Sequence, residues 1–208
     1  MNRPLKYIIT ILAVLLVLIL SLDIQKLDEY KAGQTVAVFN ATEYADDVWE
    51  NKLPYTIDKA PEIITLVDFL RENKETAFNE YGRKLGISKT WYFLVRDKGV
   101  ITAVEDEYLT VQLSNREQIR IATSFIFGNA VRDGSGVVDI SVFVNMTQFN
   151  DVSIALNKRV KEEVVSYLKQ SARTGMNLIF AGVLEINEDA SDFNTLTVVP
   201  VKALLMDE

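Results

Sequence analysis

The sequence contains no cysteine and no histidine. The first absence removes disulfides, thiolate nucleophiles, cysteine-ligated zinc and thioether lipid attachment, so stability must come from packing. The second removes the commonest general base near neutral pH and the commonest transition-metal ligand. Most hydrolase triads and metal centres are thereby closed, and no cofactor is expected. Basic residues are also outnumbered: 22 Lys and Arg against 29 Asp and Glu leave a formal charge of -7. Phosphate backbones need clustered cations to release their counterions, so nucleic acid is excluded as a partner. Neither a P-loop nor a G-x-G-x-x-G follows a strand pattern. Gly134-Ser135-Gly136 has the composition of a turn and lacks a phosphate-cradling helix start.

What the chain does have is one long apolar run. Arg3 and Lys6 precede an uncharged stretch from Tyr7 to Leu22, with twelve Leu, Ile and Val residues between Ile8 and Leu22. At roughly 0.4 kcal/mol each, these favour membrane insertion by about 5 kcal/mol. About 16 helical residues span roughly 24 Å, a little less than a hydrocarbon core. No small-x-small cleavage site follows, since Leu20, Ser21, Leu22 and Asp23 offer one small residue among bulky ones. Residues 1–34 therefore read as an uncleaved signal anchor, a single transmembrane helix, with its polar connector. Arg3 and Lys6 before the run, and Asp23, Asp28 and Glu29 after it, put the N-terminus in the cytoplasm. Residues 35–208 then form a domain outside a bacterial inner membrane, in the periplasm or beyond the cell.

Along that domain, "TVAVF" (35–39) predicts a short strand, and "NATEYADDVWENKLP" a short helix with Thr42 as N-cap that closes before Pro54. A long amphipathic helix follows, with Asp58 as its cap, Pro61 in its first turn, Ile63, Val67, Leu70, Ala77 and Tyr81 on one face, and Gly86 at its end. Trp91 to Thr123 reads as three strands turning at Glu105-Asp106-Glu107 and Ser114-Asn115-Arg116. A helix over about 148–173 carries Val152, Leu156, Val160, Val164 and Leu168 on one stripe, with Gly175 past its end. Two strands, "NLIFAGVLEI" and "TLTVVPVKALL", close the chain around the acidic loop 187–192. Three strands, a helix and two strands is the order of an OB-like Greek-key barrel, here mainly β with N-terminal helices, an α+β fold.

Between the strands and that helix, Val138, Ile140, Val142, Val144 and Met146 alternate with Asp139, Ser141, Phe143 and Asn145, which predicts a strand with one core face and one polar face. Arg132 and Asp133, neighbours in an extended chain, would point to opposite sides and need separate partners. The ligand-binding candidates are Arg132, Asp133, Asn145 and Trp49; Tyr44 and Trp91 read mainly as core. Ser166 and Lys169 share a helical face but lack the rest of a serine-lysine signature. Glu188, Asp189 and Asp192 lack calcium-loop spacing and read as a hairpin tip, so neither catalytic nor metal-binding residues are assigned.

The landmarks "YADDVWENKLP", "NEYGRKLG", "FGNAVRDG", "FVNMTQFNDVSIALN", "IFAGVL" and "VVPVK" resemble, in this order, the domain of unknown function 2291 family of predicted periplasmic lipoproteins. Genes of that family often accompany sugar-type ABC transporters. The matching positions are Trp49, Lys52, Pro54, Tyr81, Gly82, Gly128, Arg132, Asp133, Asn145, Phe149 and Asn157. The resemblance implies an OB-like fold and an extracytoplasmic role near solute uptake, and it brings no catalytic residues. The family's lipid needs a cysteine that this chain lacks, so a protein helix is expected to anchor it.

The expected function is a non-enzymatic, membrane-anchored periplasmic module that binds a small polar ligand such as a sugar, or an ABC transporter component. Two alternatives remain. A protein-protein scaffold would show a contiguous exposed apolar patch in place of a concave polar pocket. A carboxylate-based enzyme such as a glycosidase would need Asp133 and Asp139 across a cleft with opposed pKa shifts.

Overall fold

In the computed structural model, which describes residues 39–124 and 128–207, the second half of the chain curls into a closed barrel. The predicted anchor and connector lie outside the described residues, as does all but the last residue of the strand expected over 35–39. Among the described residues no helix is long and apolar enough to cross a membrane.

The barrel uses β2 Thr90–Val104, β3 Tyr108–Leu113, β4 Gln118–Ala122, β5 Asn177–Asn187 and β6 Thr197–Met206; a two-residue strand, β1 Gly82–Arg83, pairs outside it with β2. The strand order β2-β3-β4-β6-β5 closes because β2 also pairs with β5, in register from Thr90↔Asn187 to Val100↔Asn177. The contact between β4 and β6 is parallel and the others are antiparallel. Period-two patterning puts Leu109, Val111 and Leu113 of β3 and Ile119 and Ile121 of β4 inside. Two bulges bend the wall, one at Ile101/Ala103 and one at Ala181/Gly182 opposite Pro200, where a ladder donor is not required. A side chain at Gly182 would stand 2.4 Å from the Val199 carbonyl, so only glycine fits that crossing.

Helices fill the remaining sides. The long helix predicted after Pro61 is two, α3 Ile63–Glu72 and α4 Lys74–Tyr81. Asn73 leaves the helical region (φ -147°, ψ 81°) and its side chain caps Thr76 at 3.1 Å, so a cap outweighs an unbroken apolar stripe. Gly82 then enters β1, and Gly86 sits in a turn at φ 64°. The first helix, α1 Ala41–Asp47, is capped by Asn40 and not by Thr42, and it does not stop at Pro54. A π-helical stretch, Val48–Lys52, widens the coil so that Leu53 bonds back to Val48, and Pro54 enters the first turn of α2 Leu53–Lys59. Asp58 lies inside α2 and caps nothing. The crossing helix runs from α6 Met146–Arg159 through a π-helical stretch, Val160–Val165, into α7 Ser166–Ser171. All five residues of its predicted stripe are buried, and Val164 and Leu168 join the barrel core.

Candidate functional site

Arg132 and Asp133 do not lie on an extended segment. They belong to a short helix, α5 Ala130–Ser135, which ends at Gly136 in the left-handed region (φ 70°). Gly134 lies flat on β5, where an added Cβ would meet Val183 at 2.4 Å. The helix thus presses Arg132 inward to 2% exposure. Its Nε and Nη2 donate to the two carboxylate oxygens of Asp133 at 2.7 and 3.2 Å, and its Nη1 donates to the Phe149 carbonyl and to Asn150 Oδ1 at 3.2 and 3.1 Å. The guanidinium lies 3.5 Å from the centroid of the Phe149 ring. The expectation that these neighbours cannot pair is corrected: it assumed a strand, and a helical backbone lets a long arginine curl onto the next carboxylate. The residues around them finish a lock between α5 and α6. Ser153 donates to Asn129, and Asn157 donates to the Gly128 carbonyl at 2.9 Å.

A small cleft of about 200 Å³ opens beside Asp133, walled by Arg83, Val138, Asp139 and Phe149. Both acids in it are already engaged. Asp133 has both oxygens on Arg132, and the amide and hydroxyl of Ser141 hold the Asp139 carboxyl below the usual carboxylate range. Nearby, Glu185 and Tyr92 are cross-strand partners on β5 and β2. Partial burial, then the charge of Asp133, pushes the Glu185 carboxyl up, and burial followed by Glu185 raises the Tyr92 hydroxyl.

The segment predicted as a strand over 138–146 is instead a 3-10 turn, Ile140–Val142, leading into α6, and its facing is reversed. Ile140, Val142, Val144 and Met146 are exposed at 42%, 57%, 82% and 54%. Phe143, assigned to the polar side, is the half-buried anchor, with ring centroids 5.2 Å from Tyr44 and 5.3 Å from Phe149. Caps at both ends make the segment rigid. Asp139 accepts from Ser141, while Asn145 accepts from the Gln148 amide and Gln148 Oε1 accepts from the Val144 amide. Asn145 is therefore the N-cap of α6, and no bond among the described residues joins it to Arg132 or Asp133.

With this geometry in place, comparison with known proteins is informative. The profile of the family described as predicted periplasmic lipoprotein (DUF2291) matches residues 12–203. The chain belongs to this family. An OB-fold protein from Thermotoga maritima MSB8, known from a crystal structure, is similar at 25% identity and a TM-score of 0.71, over 81% of this chain and 99% of that one. A search of the curated proteins finds no match. The barrel is accordingly an OB fold, and the family description makes the chain a periplasmic accessory module.

Family membership does not turn the landmark residues into a binding site. Gly128, Arg132, Asp133, Asn145, Phe149 and Asn157 form the α5–α6 lock and its cap. Trp49 stands elsewhere: its indole donates to Glu163 at 2.9 Å, beside an Arg159 that pairs with Asp46, Glu50 and Glu163. It lines a separate cleft of about 280 Å³ with Leu53, Pro54 and Val201. Ser166 donates to the Lys161 carbonyl and makes no bond to Lys169 among the described residues. The hairpin tip is held by Lys84 and Lys89 on Glu188 and Asp189, and among the described residues no acidic cluster has metal-holding geometry. What the sequence reading missed is the outward apolar strip. Its signals were the two caps, Asp139 before Ser141 and Asn145 before Gln148, which mark helix starts and leave no room for a strand.

Proposed function

We propose that this protein is a non-catalytic accessory module, held at the periplasmic face of the bacterial inner membrane by its N-terminal apolar run, that docks onto a protein partner through Ile140, Val142, Val144 and Met146. The observation that carries this reading is that strip: four exposed apolar side chains beside a half-buried phenylalanine, capped at both ends. Isolated exposed apolar residues are ordinary, whereas four of them within residues 140–146 concentrate apolar surface in one short segment. Its charge environment selects a protein over a lipid surface. From Asp133 to Asn157 the sequence holds no Lys or Arg, while Asp139 and Asp151 are exposed. Anionic headgroups attract surfaces by roughly 1 kcal/mol per cation, and the strip's own segment supplies none, although Arg83 and Lys84 share a cleft with Ile140. The resemblance to a family encoded beside sugar-type ABC transporters points to a component of such an uptake system as the partner.

The polar alternatives are less well supported. The cleft beside Asp133 is smaller than the roughly 300–1,000 Å³ of typical ligand pockets, and the guanidinium beneath it is engaged by its own protein. A glycosidase needs one carboxylic acid with a raised pKa facing a carboxylate. Asp139 is shifted the other way, and Glu185, whose carboxyl is raised chiefly by burial, owes the rest of that shift to an Asp133 with both oxygens held by Arg132.

A double substitution, Val142→Asp with Val144→Asp, tests the reading. Both residues are exposed, so the melting temperature should stay near that of the parent, while co-purification with the transporter's membrane subunits from native membranes is lost. Retained association removes the strip from the interface.

A further inference from the structure

We infer that the cleft beside Trp91 binds a small neutral saccharide, a role separate from the docking strip. The cleft has a volume of about 370 Å³ and is lined by Lys74, Glu75, Phe78, Asn79, Trp91 and Glu188. That volume is in the range of small-molecule sites.

Its aromatic wall is held rigid. The Trp91 indole donates to Glu188 Oε2 at 3.3 Å, and Phe78 meets the ring edge-on with centroids 5.2 Å apart. Lys84 lies 5.0 Å from the same ring and pairs with Glu188 at 2.9 Å. The opposite wall is tied down by Lys74, which donates to the carbonyls of Glu188 and Ala190. No ordering of this wall is left for a ligand to impose, which favours binding by a rigid partner.

Two polar groups in the cleft have no hydrogen bond or ion pair among the described residues. They are the carboxylate of Glu75 and the amide of Asn79, exposed one turn apart on α4. A carboxylate accepts from two donors, and an amide both donates and accepts. Adjacent hydroxyls on a sugar ring match that pair, and the C–H face of the ring suits an indole wall. Charge argues for a neutral ligand: Lys74 and Lys84 balance Glu75 and Glu188, so the cleft has no net field to select an ion.

The experiment uses the full chain carrying Trp49→Phe, so that Trp91 is the reporter, in a detergent without a sugar headgroup. Emission is followed during titration with D-glucose and with D-ribose, and calorimetry of the unsubstituted protein runs in parallel. The expected result is a saturable emission shift with at least one sugar. It should weaken by about tenfold or more, a loss of about 1.4 kcal/mol, in Glu75→Ala/Asn79→Ala, with the melting temperature of the parent retained. A saturable response unchanged by the double substitution overturns the site, as does silence in both fluorescence and calorimetry. Tighter binding of gluconate or glucosamine than of glucose overturns the neutral class.

Discussion

Replacing Arg132 with Met removes a guanidinium whose side chain is 1% exposed and leaves the Asp133 carboxylate at 9% exposure without its ion-pair partner. Had the carboxylate been able to turn into water, the change would be nearly neutral. At 9% it cannot, and orphaning a buried charge costs about 3–5 kcal/mol. Methionine keeps most of the volume, so little of that figure comes from a cavity. For a folded unit of this size each kcal/mol moves the melting temperature by about 2–4 °C, giving a fall of about 6–20 °C. Substituting Asp133→Asn in the same chain removes the orphaned charge and should restore most of the loss. Urea unfolding followed by circular dichroism, on the single and double variants, measures both quantities. A single-variant cost below about 1 kcal/mol, or a double variant no more stable than the single, would refute the assignment of Arg132 to a lock.

Three further outcomes follow from the same structure. Asn145→Ala deletes the side-chain cap that accepts from the Gln148 amide, and should cost about 1 kcal/mol in urea unfolding; no loss would mean that the cap is not holding the strip. Because the folded-state Glu185 pKa is raised, its contribution is complete below the unfolded value of about 4.3 and is lost as pH rises through the folded value; Glu185→Gln should abolish that decline relative to the parent, and parallel profiles would contradict the shift. Leu168→Ala empties a fully buried position in the barrel core and should cost about 2–5 kcal/mol by thermal or urea unfolding, whereas a cost under 1 would mean that α7 does not close the barrel.

The barrel was legible because β3 and β4 alternate cleanly, β2 and β5 carry apolar runs, and the turns hold polar residues at the breaks. The stripe from Val152 to Leu168 was legible for the same reason at helical period. The pattern failed where period and burial come apart. From Val138 to Met146 the alternation is real, but it reports a shared face only in an extended chain, and here the chain turns. Phe143 alone finds two aromatic neighbours, and that decides the orientation. Asn73 and Pro54 misled in opposite directions: an apolar stripe hid a cap at the first, and a helix breaker at the second was absorbed by a π-helical stretch. At the candidate site the residue types were visible, but their engagement was not. Arg132 and Asp133 stand side by side in the sequence, and only the packing of α5 on β5 makes them partners. Trp91 read mainly as core, and Glu188, which shares its cleft and accepts from its indole, is more than ninety residues away in sequence.

The docking strip is tested most directly by a photo-crosslinking residue in place of Val144, the most exposed of its four side chains, in the full chain in its native membrane. The account predicts an adduct with a membrane subunit of a sugar-type ABC transporter, absent when the same residue replaces Glu72 on the exposed face of α3. No protein adduct from position 144, or the same adducts from both positions, would contradict it.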